Sequence, residues 1–412
     1  MNRLASFNLR DVTPEGLPPT TRQPDSPVRM LFLSHTLLGF RRYHERIVDV
    51  CAHDPDVDAV QIELAAPLWQ KVVGKGVPRV TWTGWDFQPY RHLLMWRARI
   101  NKWLLGPLPL DRFDVVHIIT QGNAPDLTYL KAECARRGWK VPRFVVNIDT
   151  TAELEARELG YRRRALRPFI RAEHAIFDEI DLVVCRNRWC SRSVIKDYDV
   201  PSDRVLVARN SIKPSAIARY DLPPRRPTDP FKLAFVGNNW VRKSGPRLLR
   251  MHQEHLANRV QLHVCSGKVT PDHAARNVVW HGAVEHKRLM GEILPRMDAL
   301  ILPTRNDMHP WAVLEAASVG LPVISTRISG IPEMVRDDES GILCAPDDWE
   351  GYARAALKLA DNPELCERMG RAAREHVTRK YDPDATYQGL VERLKTLASE
   401  PARATAGSRT RV

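Results

Sequence analysis

Two stretches of this chain carry residue types at spacings that suit an anionic, hydroxyl-bearing ligand. In the first, Asp307 and Glu315 stand eight residues apart within PTRNDMHPWAVLEAASVG, residues 303–320. The apolar run ending at Leu302 reads as a strand and the polar residues after it as a loop. Pro310 onward reads as a helix, since proline is accepted in a first turn. The start of that helix, with Pro310 and Trp311, offers free N–H groups and a positive dipole end to an anion. Asp307 in the loop and Glu315, about one and a half turns inside the helix, can face one ligand lying across that start. Glu315 is surrounded by Val313, Leu314, Ala316 and Ala317, where a carboxylate needs a polar partner such as a ligand hydroxyl. The plainer alternative makes Asp307 a turn residue and Glu315 a surface carboxylate.

The second stretch is FVGNNWVRKSG, residues 235–245. It reads as a strand end, a glycine turn and a cationic helix start. Gly237 lets backbone approach a ligand closely. Arg242 and Lys243 supply the positive charge that would stabilise a departing diphosphate. The alternative is an ordinary polar helix start. It is not a phosphate-binding loop of the GxxxxGK[ST] type.

Elements must bring these stretches together. The length of 412 residues suits two domains of about 200 residues each. With 43% hydrophobic and 27% charged residues the composition is globular, not fibrous or broadly disordered. Short β-branched runs at 28–34, 57–62, 113–118, 143–148, 181–185 and 205–208 predict strands of a first domain. Runs at 232–236, 260–265, 278–280, 299–302 and 322–325 predict those of a second. Helical patterns fall at 40–52, 245–255, 288–296, 310–319, 349–359, 363–377 and 385–397. Alternation of this kind means βα units and mainly parallel sheets, hence an α/β fold with ligand at the carboxyl ends of the strands. The expected organisation is a disordered lead-in at 1–27, a first domain at 28–211 and a proline-rich linker at 212–230. A second domain at 231–380, a helix at 381–400 and a tail at 401–412 follow.

Seven cysteines without a paired CxxC, several inside apolar runs, point to reduced, buried thiols and a cytoplasmic setting. No HExxH or clustered ligand spacing suggests a metal. No apolar run reaches the roughly 20 residues that span a bilayer, and residues 1–27 lack the apolar stretch of a signal peptide. The balance of 62 Lys and Arg against 49 Asp and Glu, a net +13, points to phosphate-bearing ligands, an anionic membrane or nucleic acid. No nucleic-acid-binding motif accompanies it, so nucleic acid is not expected as a partner.

The second stretch and the carboxylate pair resemble the nucleotide-sugar site of the retaining glycosyltransferases of family 4, which have the GT-B fold. That family carries a Glu, seven residues and a second Glu, matched here by Asp307 and Glu315. Gly320-Leu321-Pro322-Val323-Ile324, Gly330-Ile331-Pro332-Glu333 and Gly341-Ile342-Leu343 continue the match. The resemblance is specific over about 200–380 and architectural before that. It implies two facing Rossmann-like domains with an interdomain cleft, and a last helix at 381–400 that crosses back to the first domain. It also implies transfer of a hexosyl unit from a UDP- or GDP-linked sugar to a hydroxyl acceptor, with retention and with no metal or cofactor required. By the resemblance, Glu315 holds the ribose, Asp307 contacts the transferred sugar, and Lys243 binds the diphosphate together with Gly237, Asn238, Arg242, Pro310 and Trp311. Three departures stand out. Asp307 replaces a Glu, shortening the reach by one methylene. Asn238 stands where the family usually has Arg, with Arg242 as a substitute charge. His309-Pro310 replaces the frequent Phe-Gly.

On the acceptor side, the loop after the first strand holds Gly39, Arg41 and Arg42 as candidates for a phosphorylated acceptor. Relatives often have a histidine near the end of the strand at 143–148; here Asp149 is the candidate substitute. Asn210-Ser211 resembles the family's Asn-Gly turn. Six arginines at 157–171, and aromatic residues interleaved with cations at 81–105, would suit an anionic headgroup layer. The expected partners are therefore a nucleotide-sugar donor, a sugar, glycan or lipid-linked acceptor in bacterial-type glycan, polysaccharide or glycolipid synthesis, and the inner face of the cytoplasmic membrane. The rival readings are a non-catalytic sugar-nucleotide-binding or regulatory GT-B protein and a nucleotide-sugar 2-epimerase.

Overall fold

The computed structural model describes residues 5–8, 17, 26–34, 38–63, 108–124, 126–223, 226, 228–267, 269–272 and 274–401. The aromatic and cationic segment at 81–105 lies outside them. The chain divides into two compact units, one formed by Met1–Ala208 with Asp384–Val412, the other by Arg209–Pro383.

In the first unit the elements run β1 (Ala5–Asn8), β2 (Val28–Ser34), α1 (Leu38–His53), β3 (Val57–Glu63), β4 (Val115–Ile119) and α2 (Leu127–Arg136). Then come β5 (Arg143–Ile148), α3 (Ala152–Glu158), α4 (Arg163–Glu179), β6 (Leu182–Cys185), α5 (Arg188–Asp197) and β7 (Val205–Val207). The sheet order is β1-β3-β2-β4-β5-β6-β7, every pair parallel. Parallel strands are buried on both faces, and alternate residues here divide accordingly. Leu31, Leu33, Val116, Ile118, Phe144 and Val146 pack with Leu127, Leu130, Ile170 and Phe177 of α2 and α4. Met30, Phe32, Val115, Val145 and Val184 pack on the other face with Tyr43 and Ile47 of α1.

That second face is completed from the far end of the chain. Tyr387, Leu390, Val391, Leu394 and Leu397 join the same core. Tyr387 meets Tyr43 edge to face, ring centroids 5.4 Å apart, and Lys395 Nζ lies 3.2 Å from both Asp54 and Asp56. The lead-in at 1–27 needs correction. Ala5–Asn8 is a strand, with Ala5 opposite Val60 and Asn8 opposite Glu63. It covers the β3 edge, whose backbone groups would otherwise lack partners.

The second unit runs β8 (Phe231–Val236), α6 (Gly245–Met251), β9 (Val260–Cys265), β10 (Val278–Trp280), α7 (His286–Arg288), β11 (Ala299–Leu302) and α8 (Trp311–Ser318). It ends with β12 (Val323–Thr326), α9 (Ile331–Met334), β13 (Gly341–Cys344), α10 (Trp349–Asp361) and α11 (Pro363–Lys380). The final helix, α12 (Pro383–Ser399), carries the residues that join the first unit. The sheet order is β10-β9-β8-β11-β12-β13, again parallel throughout. Pro363 opens α11 behind Asn362, whose side chain accepts from the Leu365 N–H, so the missing proline N–H costs nothing. The expected helix at 288–296 is less regular than its pattern: α7 passes into a wide turn at 289–293 and a tight turn at 294–296.

The stretch expected as a linker begins with residues bonded into the second unit. The Ile212 N–H donates to Tyr381 O at 2.9 Å, Ser215 to Ser318 O at 3.2 Å and Arg219 to Val319 O at 2.7 Å. The Arg219 guanidinium reaches Asp298 at 3.0 Å, and Tyr220 lies against Gly320. Residues 212–222 are thus fastened to the second unit.

Two imidazoles lie inside the first unit. His44 of α1 and His117 of β4 both meet the Phe32 ring edge to face, at 5.9 and 5.4 Å. Burial lowers the His44 pKa to about 4 against weaker opposing pulls from Gln61 and Glu45. Burial and then His44 lower that of His117 to about 3. Both pKa values lie below the unfolded value of about 6.5. The stability held by the neutral rings is therefore complete above pH 6.5 and lost as pH falls toward the folded values. Each ring contributes a slope of about 1.4 kcal/mol per pH unit in that window. Urea unfolding of the first unit, followed at pH 7 and pH 5, should show this loss, and His117→Leu should reduce it.

Candidate functional site

In the second sheet the chain leaves β8 for β9 and β10 on one side, then returns to place β11, β12 and β13 on the other. The order reverses between β8 and β11. Loops after two neighbouring parallel strands then diverge, and the crevice at their carboxyl ends is where α/β sheets bind ligands. The two stretches singled out from the sequence are the loops that follow β8 and β11.

After β8, the Gly237 N–H donates to Cys265 O at 3.0 Å. The chain then turns back through residues 238–244. Arg242 N–H donates to Asn239 Oδ1 at 3.1 Å, and Gly245 N–H to Trp240 O at 2.8 Å. Trp240 wedges the loop: it meets Phe235 edge to face at 5.0 Å and Trp280 at 5.9 Å. Its ring occupies the place of a side chain at Gly245, where an added Cβ would come within 2.1 Å. Ser244, at φ 60°, takes the left-handed conformation that brings the turn into α6. Gly237 serves a different need, since a Cβ there would lie 2.2 Å from Lys243 Cδ. Its bare backbone makes room for the stem of Lys243.

That stem delivers the ammonium to Asp307. Lys243 Nζ donates to Asp307 Oδ2 at 2.8 Å, and Thr304 Oγ1 donates to the same oxygen at 2.9 Å. Arg242 Nη1 donates to Asp307 Oδ1 at 2.8 Å and also to the Asn306 carbonyl. Lys243 and Asp307 are buried, while the Arg242 side chain is 39% exposed and so open to a ligand. Burial alone would raise the Asp307 carboxyl; the charges of Lys243 and Arg242 and their hydrogen bonds outweigh it and hold it below the usual carboxylate range. The cluster carries two positive charges against one negative, leaving a net positive centre at the crevice.

Pro310 is the N-cap of α8, one residue outside the expected helix start, and Trp311 is the first helical residue. Every residue of α8 from Ala312 to Ser318 is buried. Glu315, 4% exposed, is therefore not the surface carboxylate of the plainer reading. Its Oε1 lies 3.3 Å from Nδ1 of His286 in α7. His286 and Thr304 were not singled out from the sequence. Thr304 lies at spacing three from Asp307, a local signal; His286 is 29 residues from Glu315, with none. Asn210 is buried and its Nδ2 donates to the His309 carbonyl at 3.2 Å, fixing the chain just before α8. The side-chain hydrogen-bond partners of Asp307 among the described residues are Lys243, Arg242 and Thr304, and Asn238 is not one of them.

Asp149, Gly39, Arg41 and Arg42 belong to the first unit. Gly39 and Arg41 lie within the first turn of α1, which starts at Leu38, so Gly39 is helical instead of in the preceding loop. Asp149 follows β5 beside a buried polar group. Arg186 Nε donates to Asn147 Oδ1 at 3.4 Å, Asn147 Nδ2 to the Tyr43 hydroxyl at 3.0 Å, and the guanidinium lies over the Tyr43 ring at 4.8 Å. Burial lowers the Arg186 pKa, with Asp149 the foremost opposing charge. Among the described residues no three His, Cys, Asp or Glu side chains come together to hold a metal ion.

Comparison with known proteins agrees with this geometry. Residues 230–362 match the family model "Glycosyl transferases group 1". The chain is 30% identical over 199 residues to the glycogen synthase of Mycobacterium tuberculosis, covering 43% of this chain and 45% of that protein. It therefore spans less than half the length of that relative. It is 27% identical over 304 residues to the D-inositol 3-phosphate glycosyltransferase of Thermomonospora curvata, covering 66% and 70%. Among solved structures, sucrose-phosphate synthase from Thermosynechococcus elongatus aligns with a TM-score of 0.63 at 15% identity, over 90% of this chain and 99% of that one. Anabaena HepE in complex with UDP-glucose aligns with a TM-score of 0.60 at 12% identity, over 89% and 99%.

The wedge of Trp240 generates a direct check. Gly245→Ala forces a methyl into a ring fixed by two other aromatics and should destabilise the second unit by about 1–3 kcal/mol, read by urea unfolding. The strand pairing and the switch point agree with the solved structures: the chain has the GT-B fold, and residues 230–362 of its second unit are similar to the glycosyl transferases group 1 family.

Proposed function

We propose that the protein is a retaining glycosyltransferase of family 4 that moves a hexosyl unit from a nucleoside-diphosphate sugar to a hydroxyl acceptor. The observation that carries the proposal is the pair of cations after β8 placed beside the carboxylate loop after β11, at the switch point of the second sheet. In the reaction the bond from the anomeric carbon to the β-phosphate oxygen breaks and its electron pair leaves with the diphosphate. The acceptor oxygen bonds to that carbon and passes its proton to the departing phosphate oxygen. Lys243 and Arg242 neutralise the charge gathering on the leaving diphosphate. Glu315, buried in α8, accepts hydrogen bonds from the ribose hydroxyls, and Gly237, Asn238, Pro310 and Trp311 border the donor. The UDP-glucose bound by Anabaena HepE supports a UDP-linked donor, with GDP-linked sugars as the other class to test. In the first unit, Gly39, Arg41 and Arg42 are assigned to acceptor recognition and Asp149 to the catalytic centre, in place of the histidine that holds the transferred sugar in relatives. No metal or cofactor is assigned a part.

The acceptor is read as a sugar, a glycan or a lipid-linked intermediate of bacterial-type glycan, polysaccharide or glycolipid synthesis. An anionic membrane face in the cytoplasm is the matching location. Its support lies in α4 and the residue before it. Arg162, Arg164, Arg167 and Arg171 are exposed, and Arg164, Arg167 and Arg171 share one helical face at spacings three and four. The opposite face buries Leu166, Ile170 and Phe177. Arg157 and Arg163 are instead occupied by Asp197 and Glu153. No helix among the described residues is long and apolar enough to cross a membrane.

Two experiments test these assignments. A donor and acceptor screen with product identification by mass spectrometry should find release of nucleoside diphosphate with one donor. Lys243→Ala should lower turnover by about 10²–10³-fold, and Glu315→Ala should chiefly raise the donor KM. Binding of a nucleotide sugar without release in the presence of any acceptor fraction would favour the regulatory reading. For the membrane, co-sedimentation should be stronger with vesicles rich in anionic lipid than with zwitterionic ones. Replacing Arg164, Arg167 and Arg171 with Ser should weaken it on the order of a hundredfold. Equal binding to both vesicle types would remove the membrane from the account.

A further inference from the structure

The resemblance gives Asp307 to the transferred sugar, yet the carboxylate is already engaged on both oxygens. Oδ1 accepts from Arg242, and Oδ2 from Lys243 and Thr304, all between 2.8 and 2.9 Å. A carboxylate has about four acceptor sites, and three are taken. The side chain is only 11% exposed, and as an aspartate it reaches one methylene less far than the family's glutamate. The cations, by contrast, have donors to spare. An ammonium offers three and a guanidinium five. Lys243 gives one to Asp307, and the Nη1 group of Arg242 serves Asp307 and the Asn306 carbonyl. Both can hold Asp307 and a phosphate oxygen at once.

Arg242 also needs such a tether. It sits on a turn between an exposed Val241 and the left-handed Ser244, and its long side chain has many rotamers. Holding it against Asp307 removes that freedom before a ligand arrives, which is the physical content of preorganisation. Asn238, the uncharged residue where the family has Arg, leaves the site one cation short, and Arg242 stands at the free end of the cluster.

We infer that Asp307 is a positioning residue: it is the internal counter-anion that holds Arg242 and Lys243 ready for the donor diphosphate, with Arg242 replacing the charge absent at Asn238. This rests on the donor reading proposed above and changes the role of one residue within it. The carboxylate acts on the diphosphate through the two cations, and selection of the sugar falls to other groups.

Calorimetric titration of the full chain with bare UDP, GDP, ADP and dTDP, and then with the matching nucleotide sugar, tests the inference. Asp307→Asn should weaken the bare nucleoside diphosphate at least tenfold and the nucleotide sugar by the same factor. Asp307→Glu, which keeps the charge, should restore part of the loss, and Thr304→Val should show a smaller loss of the same kind. Melting curves of each variant separate these effects from misfolding; if Asp307→Asn does not fold, Thr304→Val and Asp307→Glu carry the test. Unchanged affinity for the bare diphosphate with weakened nucleotide sugar would return Asp307 to the sugar and overturn the inference alone. Tighter diphosphate binding by Asp307→Asn would also overturn it, because Asp307 would then compete with the ligand. A wild-type chain that binds none of the diphosphates would defeat the donor reading itself, and the inference with it.

Discussion

A buried carboxylate with two cations on it is the constraint from which the site follows. Asp307 is enclosed at the carboxyl end of β11, and an unpaired charge there would cost several kcal/mol. It is tolerated because Lys243 and Arg242 come to it from the loop after β8. That meeting requires β8 and β11 to be neighbours although two strands intervene in sequence, which is the reversal in strand order. It requires Gly237 to lack a side chain so that the Lys243 stem can pass, and Trp240 to wedge the turn that aims Arg242. Burial, topology and glycine placement are therefore parts of one arrangement, and its net positive charge is what a diphosphate would meet.

Much of this was legible in the sequence because the signals are local. Apolar β-branched runs of three to seven residues marked nearly every strand, and Asp307, Glu315, Arg242 and Lys243 stood out by type and spacing. Strand β13 was legible only as the Gly341-Ile342-Leu343 motif. Pairings between distant residues were not legible. The contact of His286 with Glu315 and the hold of Lys243 on Asp307 depend on three-dimensional neighbours with no sequence spacing to announce them. The proline-rich stretch expected as a linker at 212–230 carried no sign that the backbone of Ile212, Ser215 and Arg219 bonds to residues 381, 318 and 319. The lead-in misled, because a four-residue strand such as Ala5–Asn8 is decided by the open edge beside it.

The charge of the chain also looks different once placed. A net +13 said little by itself. Many arginines are locked in ion pairs, such as Arg143 with Asp181 at 3.1 Å and Arg219 with Asp298 at 3.0 Å. Among the described residues, positive charge without a matching carboxylate includes the net excess of the Arg242 and Lys243 cluster and the exposed face of α4. The first unit contributes a different polar element, the Tyr43, Asn147 and Arg186 group beside Asp149, which is buried and hydrogen-bonded and so keeps the end of β5 in one arrangement.

The central claim is that the cations after β8 receive a nucleoside diphosphate whose ribose is held from α8. A crystal structure of the chain with the nucleoside diphosphate it binds most tightly tests this most directly. The account predicts phosphate oxygens within hydrogen-bonding distance of Arg242 and Lys243, ribose hydroxyls on Glu315, and Asp307 still bonded to both cations. A nucleotide seated elsewhere, with the Asp307 cluster untouched, would contradict it.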